Sequence, residues 1–427
     1  MTTAQPEDPW PSPPWPVHAA PDTTMTDTTV TTEVWSPVVR SHAPGTAPTP
    51  IAPDELREAI QTLQELIPLA RANLATDHWD YLVGGSETEA TVMRNRMAIE
   101  TLALRPRVLR KLTQIDLRAT VFGLPLSLPL ILAPIGGLES FDPAGAAAAS
   151  AAAGAAGVMM CLSSACKPGA AQTAAAAPAG SPKIFQLYVR GDRVFITANV
   201  EKAIETGYQV FCLTVDTQLY SRRERDFLNR FSKPWRKAAD DAANNQAASQ
   251  AALDWDDVEW FKKTWPDLPL VLKGIATAED AALAVELGVD GVWVSNHGGR
   301  QLDAGVGSLD VLPEVVEAVG GRATVIVDGG FSRGTDIVKA MALGADCVAI
   351  GRLTGIALAA AGTNGLIRAL DLLAEECWIA LGLCGVTSFA ELTPKHVREA
   401  PPLGPAPHVF SAFPHLEKSI AEYKPKL

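Results

Sequence analysis

From about residue 129 onward, short apolar runs alternate with amphipathic ones in a steady rhythm. The apolar runs are PLILAPIG, VMMCLSS, KIFQLYV, VFCLTVD, PLVLKG, GVWVSN, TVIVDGG and DCVAIGR, and each gives way to a polar or glycine residue. Most show no in/out alternation, the pattern of parallel strands buried on both faces. Between them, TAEDAALAVELG, SLDVLPEVVEAVGG and GTDIVKAMALG repeat apolar positions at helical spacing, with a glycine near the end of each as a cap. Eight strand–helix units over roughly 250 residues predict an α/β fold of the (β/α)8 TIM barrel type. A doubly wound sheet is the rival, but it more often carries its phosphate-binding glycines after the first strand, and here the glycine-rich ends come last.

Outside the barrel the rhythm changes. Residues 1–50 are rich in Pro and Thr with no apolar period, which predicts a disordered tail ahead of a single barrel domain over 51–427. The tail has no basic n-region and no apolar h-region, so it is no secretory signal, and Met25 is a second candidate start. Pro53 to Ala75 reads as one amphipathic helix, and WDYLVGGSETEATVMRNR as a turn entering a second. The fourth and fifth strands are separated by about fifty residues, far more than an ordinary connection, which predicts a lid insertion there. Its middle, KAADDAANNQAASQAA, reads as a mobile or helical flap. Ala144 to Leu162 is uncharged and of membrane-spanning length, but it is mostly Ala and Gly. It splits better into a helix, a turn at Gly157 and a strand, so no transmembrane segment is expected.

Composition narrows the function classes. The net charge of −12 argues against a nucleic-acid or anionic-membrane surface. Six Cys without a C-x-x-C suggest reduced thiols in the cytoplasm rather than a disulfide framework or a metal site. Cys377 and Cys384 fall on one helical stretch as core positions.

Barrels of this kind place their chemistry at the C-terminal ends of the strands. Those ends carry Pro134, Ile135 and Gly136; Ser163 and Ser164; Gln186 and Tyr188; Thr214 and Asp216; Lys273; Ser295 and His297; Asp328, Gly329 and Gly330; Gly351 and Arg352. Turn punctuation explains Gly and Ser, but explains poorly Lys273 and Asp216 at the ends of apolar runs. The pair DGG and IGR fits a phosphate site, with glycine N–H groups and Arg352 meeting an anion bidentately. Lys273 supplies a fixed cation of the kind that stabilises a reduced flavin, the alternative being a lysine paired with a buried carboxylate. His297 titrates near neutrality and suits a base, which an adjacent Asp216 would orient. Arg300 and Arg223 are candidates to clamp a carboxylate, and the hydroxyls of Tyr81 and Tyr188 suit the same ligand. The remaining histidines lie in tails or helix flanks and read as structural or solvated.

SNHGGRQLD, with VLKG, LTVDT, FQLYV, DGGFSRGTD and IGR, resembles the FMN-dependent α-hydroxy acid oxidising enzymes over about residues 55 to 400. That family includes glycolate oxidase, lactate oxidase, lactate monooxygenase, mandelate dehydrogenase and the flavin domain of flavocytochrome b2. The resemblance implies FMN as cofactor and His297 as the base. It implies Arg300 and Arg223 on the carboxylate of a small 2-hydroxy acid, with Tyr81 and Tyr188 completing the pocket. Lys273 would stand near flavin N1. Pro134 to Gly136, Ser163, Gln186, Thr214 and Ser295 would line the flavin. Asp328, Gly329, Gly330, Phe331 and Ser332, with Gly351 and Arg352, would take ribityl and phosphate. A homotetramer is implied too, and oxygen, a quinone or a redox protein as electron acceptor.

Four positions depart from the family pattern. Gly136 stands where oxidases usually carry Ala, which leaves room near flavin N5 and puts plain oxidase behaviour in question. Ala165 stands where glycolate oxidase has a bulky aromatic, so a larger substrate side chain would fit. Ser332 replaces a customary Arg, although Arg333 remains, and Gln218 replaces a Pro in the turn after VDT. Two other readings keep the flavin but not the activity: an FMN barrel of different chemistry, of isomerase or dihydroorotate type, and a non-catalytic flavin-binding protein. The first has no need of a His and Arg converging on a carboxylate, and the second would tolerate loss of His297 or Lys273.

Overall fold

A computed structural model of the chain describes residues 53–231, 249–401 and 408–416. The predicted tail over residues 1–50 lies outside them. So does most of the KAADDAANNQAASQAA segment proposed as a lid.

All eight expected strands form, and they close into a barrel of parallel strands. They are β1 (Leu130–Leu132), β2 (Met159–Ser163), β3 (Lys183–Leu187), β4 (Val210–Thr214), β5 (Leu270–Ile275), β6 (Gly291–Val294), β7 (Thr324–Val327) and β8 (Cys347–Ile350), with β8 pairing back to β1. Two separate apolar cores explain why these runs do not alternate. Ile131, Met159, Cys161, Ile184, Cys212, Val271, Trp293 and Ile326 fill the barrel interior. Their strand neighbours Leu130, Leu132, Met160, Phe185, Leu213, Leu272 and Val292 pack instead into the core shared with the helices. With both faces of a strand buried, every position is apolar. A two-stranded hairpin, Ala119–Val121 with Leu124–Leu126, plugs the N-terminal end, and its Phe122 lies against Gly291 at the start of β6. The opposite end is left open for chemistry.

The helices between strands fall where the periodicity places them, at Ala278–Glu286, Ser308–Val319 and Gly334–Ala342. Ala144 to Leu162 divides as expected into the helix Ala146–Ala156, a left-handed turn at Gly157 and strand β2. Ahead of the barrel the structure differs from the expectation. Pro53–Ala59 and Leu63–Asn73 are two helices, because Thr62 and Glu65 form a capping box that starts a new helix. The WDYLV run is the end of a helix, Thr76–Val83, and not a turn. The turn begins at Gly84, and Ala90–Glu100 follows as the next helix.

The helix Arg352–Cys384 is long and apolar enough to cross a membrane by length and hydropathy alone, yet 72% of that apolar window is buried within the protein. It is interrupted at Ala361 and Gly362, packs on Leu63–Asn73 and Ala146–Ala156, and buries Cys377 and Cys384 as expected.

Candidate active site

His297 sits in the left-handed region at φ 59°, in the turn three residues beyond the end of β6. A side chain in that conformation persists only when its surroundings hold it there. Here they do. Asn296 and Asn95 exchange amide hydrogen bonds of 2.9 and 2.7 Å, and the Ser86 N–H donates to the Gly299 carbonyl at 2.9 Å. Asp303 accepts from the backbone and hydroxyl of Thr88 and from the Thr91 N–H. Gly299, at φ 74°, passes so close to the helix Ala90–Glu100 that a Cβ would lie 2.6 Å from the Val92 nitrogen. The histidine loop is thereby bolted onto the segment that precedes the barrel.

The imidazole is held from both sides. Its Nδ1 lies 3.0 Å from one Asp216 oxygen and 3.3 Å from the other, and its Nε2 lies 3.3 Å from the Tyr188 hydroxyl. Asp216 reaches it because β5 is irregular after Lys273. Gly274, at φ 114°, has no side chain where one would collide with Asp216 at 2.6 Å. Gln301 fixes the same loop by donating to the carbonyls of Asp216 and Leu219 at 2.7 and 2.8 Å. Burial pushes the Asp216 carboxyl up, but its interaction with His297, including their hydrogen bond, and the Lys273 charge outweigh it and leave its pKa below the usual carboxylate range. Burial pulls the His297 pKa below its ordinary value; Asp216 opposes that in part, and Lys273 and Arg223 add to it. The result is a neutral imidazole oriented by an ionised carboxylate.

Arg300 enters the same cavity with its guanidinium 4.9 Å over the Tyr81 ring. Its Nη1 donates to the carbonyls of Tyr81 at 2.7 Å and Gly84 at 2.9 Å. Burial, with Arg223 adding repulsion, brings its pKa down to about 10. Arg223 is buried against the Tyr220 ring, and its Nε has no hydrogen-bond partner among the described residues. Two neighbouring cations, one with a donor to spare, form a site for an anion. Tyr81 donates from its hydroxyl to the Gly136 carbonyl at 3.2 Å, so both predicted tyrosines face the cavity.

Beneath lies a buried chain of polar groups. Lys273 Nζ donates to the Ser295 hydroxyl at 2.9 Å, and Ser295 donates to Asp328 at 2.7 Å. The Lys273–Asp328 ion pair closes the chain at 3.3 Å. Burial opposes the Lys273 cation, but Asp328 and Asp216 raise its pKa above the ordinary value. The alternative reading of Lys273, a lysine paired with a buried carboxylate, is what the structure shows, and the same residue lines the cavity.

At the end formed by β7 and β8 the partners differ from the expectation. Arg352 lines the cavity, but its guanidinium donates to the carbonyls of Gly84 and Gly298, each at 2.8 Å, and of Val83 at 3.1 Å. Arg333 does not stand in for the missing arginine at Ser332, because it turns away to Glu376 at 2.6 Å. The basic group beside Gly330 is Arg96, which donates to the Gly330 carbonyl at 2.7 Å and pairs with Asp336 at 2.8 Å. Gly329, Gly330, Phe331, Ser332 and Gly351 line the cavity as expected, and the space beside Gly351 is open.

The residues present fit FMN. Gln186 is wholly buried at the end of β3, yet neither its amide nitrogen nor its oxygen has a partner among the described residues. The Thr214 hydroxyl at the end of β4 is equally unmatched. Buried polar atoms are costly when unpaired, so a donor and acceptor edge is expected to meet them, and the pyrimidine ring of a flavin has one. Pro134, Ile135 and Gly136 line the same cavity, while Ser163 caps its own turn by accepting from the Ala165 N–H at 3.2 Å.

Several lining residues were not foreseen. Asn95 and Arg96 come from the helix before the barrel, Arg190 and Thr217 from loops after β3 and β4, and Phe410 and Phe413 from the C-terminal segment. Arg190 was legible in principle, since it stands two residues beyond Tyr188 and extended backbone returns side chains to the same face at that spacing. The two phenylalanines gave no local signal.

Comparison with known proteins agrees with this geometry. Residues 70–399 match the FMN-dependent dehydrogenase family. An L-lactate oxidase from Nostoc sp. is 40% identical over 350 residues, covering 77% of this chain and 96% of that protein. Glycolate oxidase 1 from Zea mays is 39% identical over 355 residues, covering 79% of this chain and 95% of that protein. A crystal structure of mandelate oxidase superposes with a TM-score of 0.74 at 39% identity, covering 79% of this chain and 98% of that one. A buried histidine–aspartate pair, two arginines on one cavity and unmatched polar atoms on Gln186 and Thr214 thus sit on a chain that belongs to the FMN-dependent α-hydroxy acid oxidase family.

Proposed function

We propose that this enzyme oxidises an L-2-hydroxy acid to the 2-oxo acid, with His297 as base and Arg300 and Arg223 holding the substrate carboxylate. The observation that carries this reading is the convergence of His297, paired to Asp216, with both arginines on one cavity. The substrate loses two protons and two electrons: its C2–H and O–H bonds break and C2=O forms. One of the two protons goes to Nε2 of His297. Asp216 holds the proton on Nδ1, which leaves Nε2 as the acceptor and stabilises the imidazolium that results. Tyr188, within reach of the same nitrogen, positions the 2-hydroxyl, and Tyr81 stacks beneath Arg300 to steady the carboxylate clamp. FMN, when bound, would supply the acceptor for the two electrons and the remaining proton.

The names of the relatives support dioxygen as the terminal acceptor, with a quinone or a redox protein as the alternatives. The test is anaerobic. Purified enzyme should be yellow, and L-2-hydroxy acids should bleach its flavin absorbance. His297→Ala should keep the colour and lose the bleaching. A mutant reduced as fast as wild type would remove His297 from the mechanism. Admitting oxygen or a quinone to the bleached enzyme identifies the acceptor.

A further inference from the structure

Arg190 is a cation of the cavity that the proposed reaction does not use. It follows Tyr188 by two residues on extended chain beyond β3, with Val189 between them buried in the core. The spacing returns Arg190 to the face of Tyr188, and both line the cavity that holds His297. It is half-buried, and among the described residues it has no ion pair and no hydrogen bond. The nearby groups that could have neutralised it are engaged elsewhere. Asp192 caps a helix by accepting from the Val194 and Phe195 N–H groups, and Asp257 is taken by Arg193. Gln250 is spent on the Val189 N–H and the Thr214 carbonyl. A partly desolvated guanidinium without a counter-charge is costly unless a ligand supplies one.

A second unmatched polar group lines the same cavity. The hydroxyl of Thr217 is buried with no hydrogen-bond partner among the described residues. Gly136 and Ala165, which carry little or no side chain, line the same cavity and pack closely, so that a Cβ on Gly136 would lie 3.3 Å from that of Ala165. Besides Arg300 and Arg223, a ligand in this cavity therefore has a further cation and a hydroxyl to meet.

We propose that Arg190, assisted by Thr217, receives a second, terminal carboxylate, so that the preferred substrates are 2-hydroxy dicarboxylic acids. Arg300 and Arg223 hold the carboxylate next to C2, and Arg190 holds the distal one. The planar fork of Arg190 matches a carboxylate bidentately. The distal group is chemically unchanged; the oxidation at C2 is that of the reaction proposed above, on which this inference rests.

The experiment measures anaerobic flavin reduction of the holoenzyme by L-malate, L-2-hydroxyglutarate and L-2-hydroxyadipate. Each is compared with a 2-hydroxy monocarboxylate of the same chain length. At least one dicarboxylate should exceed its monocarboxylate partner in kcat/KM by about 10- to 100-fold, the range of a charge-assisted contact. Arg190→Met should abolish that advantage while leaving the monocarboxylates within about twofold, and Arg190→Lys should restore part of it. Perturbation of the flavin spectrum by 2-oxoglutarate against 2-oxopentanoate gives the same comparison as binding alone, without turnover.

Monocarboxylates that equal or exceed every dicarboxylate in wild type overturn the proposal. So does an Arg190→Met enzyme that slows both classes alike, which is the mark of general attraction of anions. In either case bleaching by the monocarboxylates leaves the reaction itself standing. Failure of every 2-hydroxy acid to bleach the flavin sinks the reaction and this inference together.

Discussion

At the scale of single residues, the His297–Asp216 pair has a direction that pH can read. Burial lowers the His297 pKa, Asp216 pulls it up in part, and Lys273 and Arg223 press it down again. The neutral imidazole is the base, so a lowered pKa extends activity toward acid. kcat/KM should therefore hold from neutrality down past the ordinary histidine value near 6.5 and fall only below it. Asp216→Asn removes the upward pull and frees the wrong tautomer. The acid limb should move to still lower pH while the rate of flavin reduction drops by about 10²- to 10⁴-fold. An acid limb that stays in place or moves up would show that Asp216 does not act through the imidazole. Arg300 makes a different demand, because its Nη1 is already committed to backbone carbonyls and its plane rests on Tyr81. Arg300→Lys keeps the charge but loses the fork and the stack. Affinity for the substrate should weaken by about tenfold or more, read as the concentration for half-maximal bleaching. An unchanged value would take Arg300 out of the clamp.

Elements decide which of these residues meet. The irregularity in β5 at Gly274 lets Asp216 come beside His297, and neither the β4 nor the β6 sequence announces it. The helix Ala90–Glu100 brings Asn95 and Arg96 to the far end of the cavity and holds the histidine loop in its left-handed conformation. The segment 408–416 closes that end from outside. Phe410 stacks on Trp79 at 5.7 Å, Phe413 is buried, and both reach the cavity lining. Their side chains are apolar and offer no acid, base or charge, which suits retention of a cofactor and not its chemistry. Phe410→Ala should loosen FMN, seen as a raised dissociation constant by flavin fluorescence, while enzyme saturated with FMN reduces at the wild-type rate. A variant that binds FMN normally would reduce this segment to packing.

For the whole molecule, the cavity ties the barrel, the N-terminal helices and the C-terminal segment to one ligand. Binding that favours only the folded state adds stability by mass action, about 2.7 kcal/mol at a hundredfold excess over the dissociation constant. The melting temperature should rise steadily with added FMN, and apoprotein should melt lower. Equal melting points with and without FMN would mean that the unmatched atoms of Gln186 and Thr214 are not waiting for it.

How much of this could be read beforehand varies by kind. The eight strands and the residues at their ends were legible, since burial on both faces writes uninterrupted apolar runs and a polar stop into a contiguous stretch. His297, Arg300, Lys273 and Asp216 were legible as polar residues at or just beyond the ends of such runs for the same reason. Their company was not. That Arg333 leaves for Glu376 while Arg96 attends Gly330, that Arg352 is occupied by three carbonyls, and that Phe410 returns to roof the cavity were settled by segments far apart in the chain. Hydrophobic periodicity is a local property and each strand declares it alone. The choice of partner for a buried charge depends on which distant backbone arrives beside it, and only the closed barrel brings those pieces together.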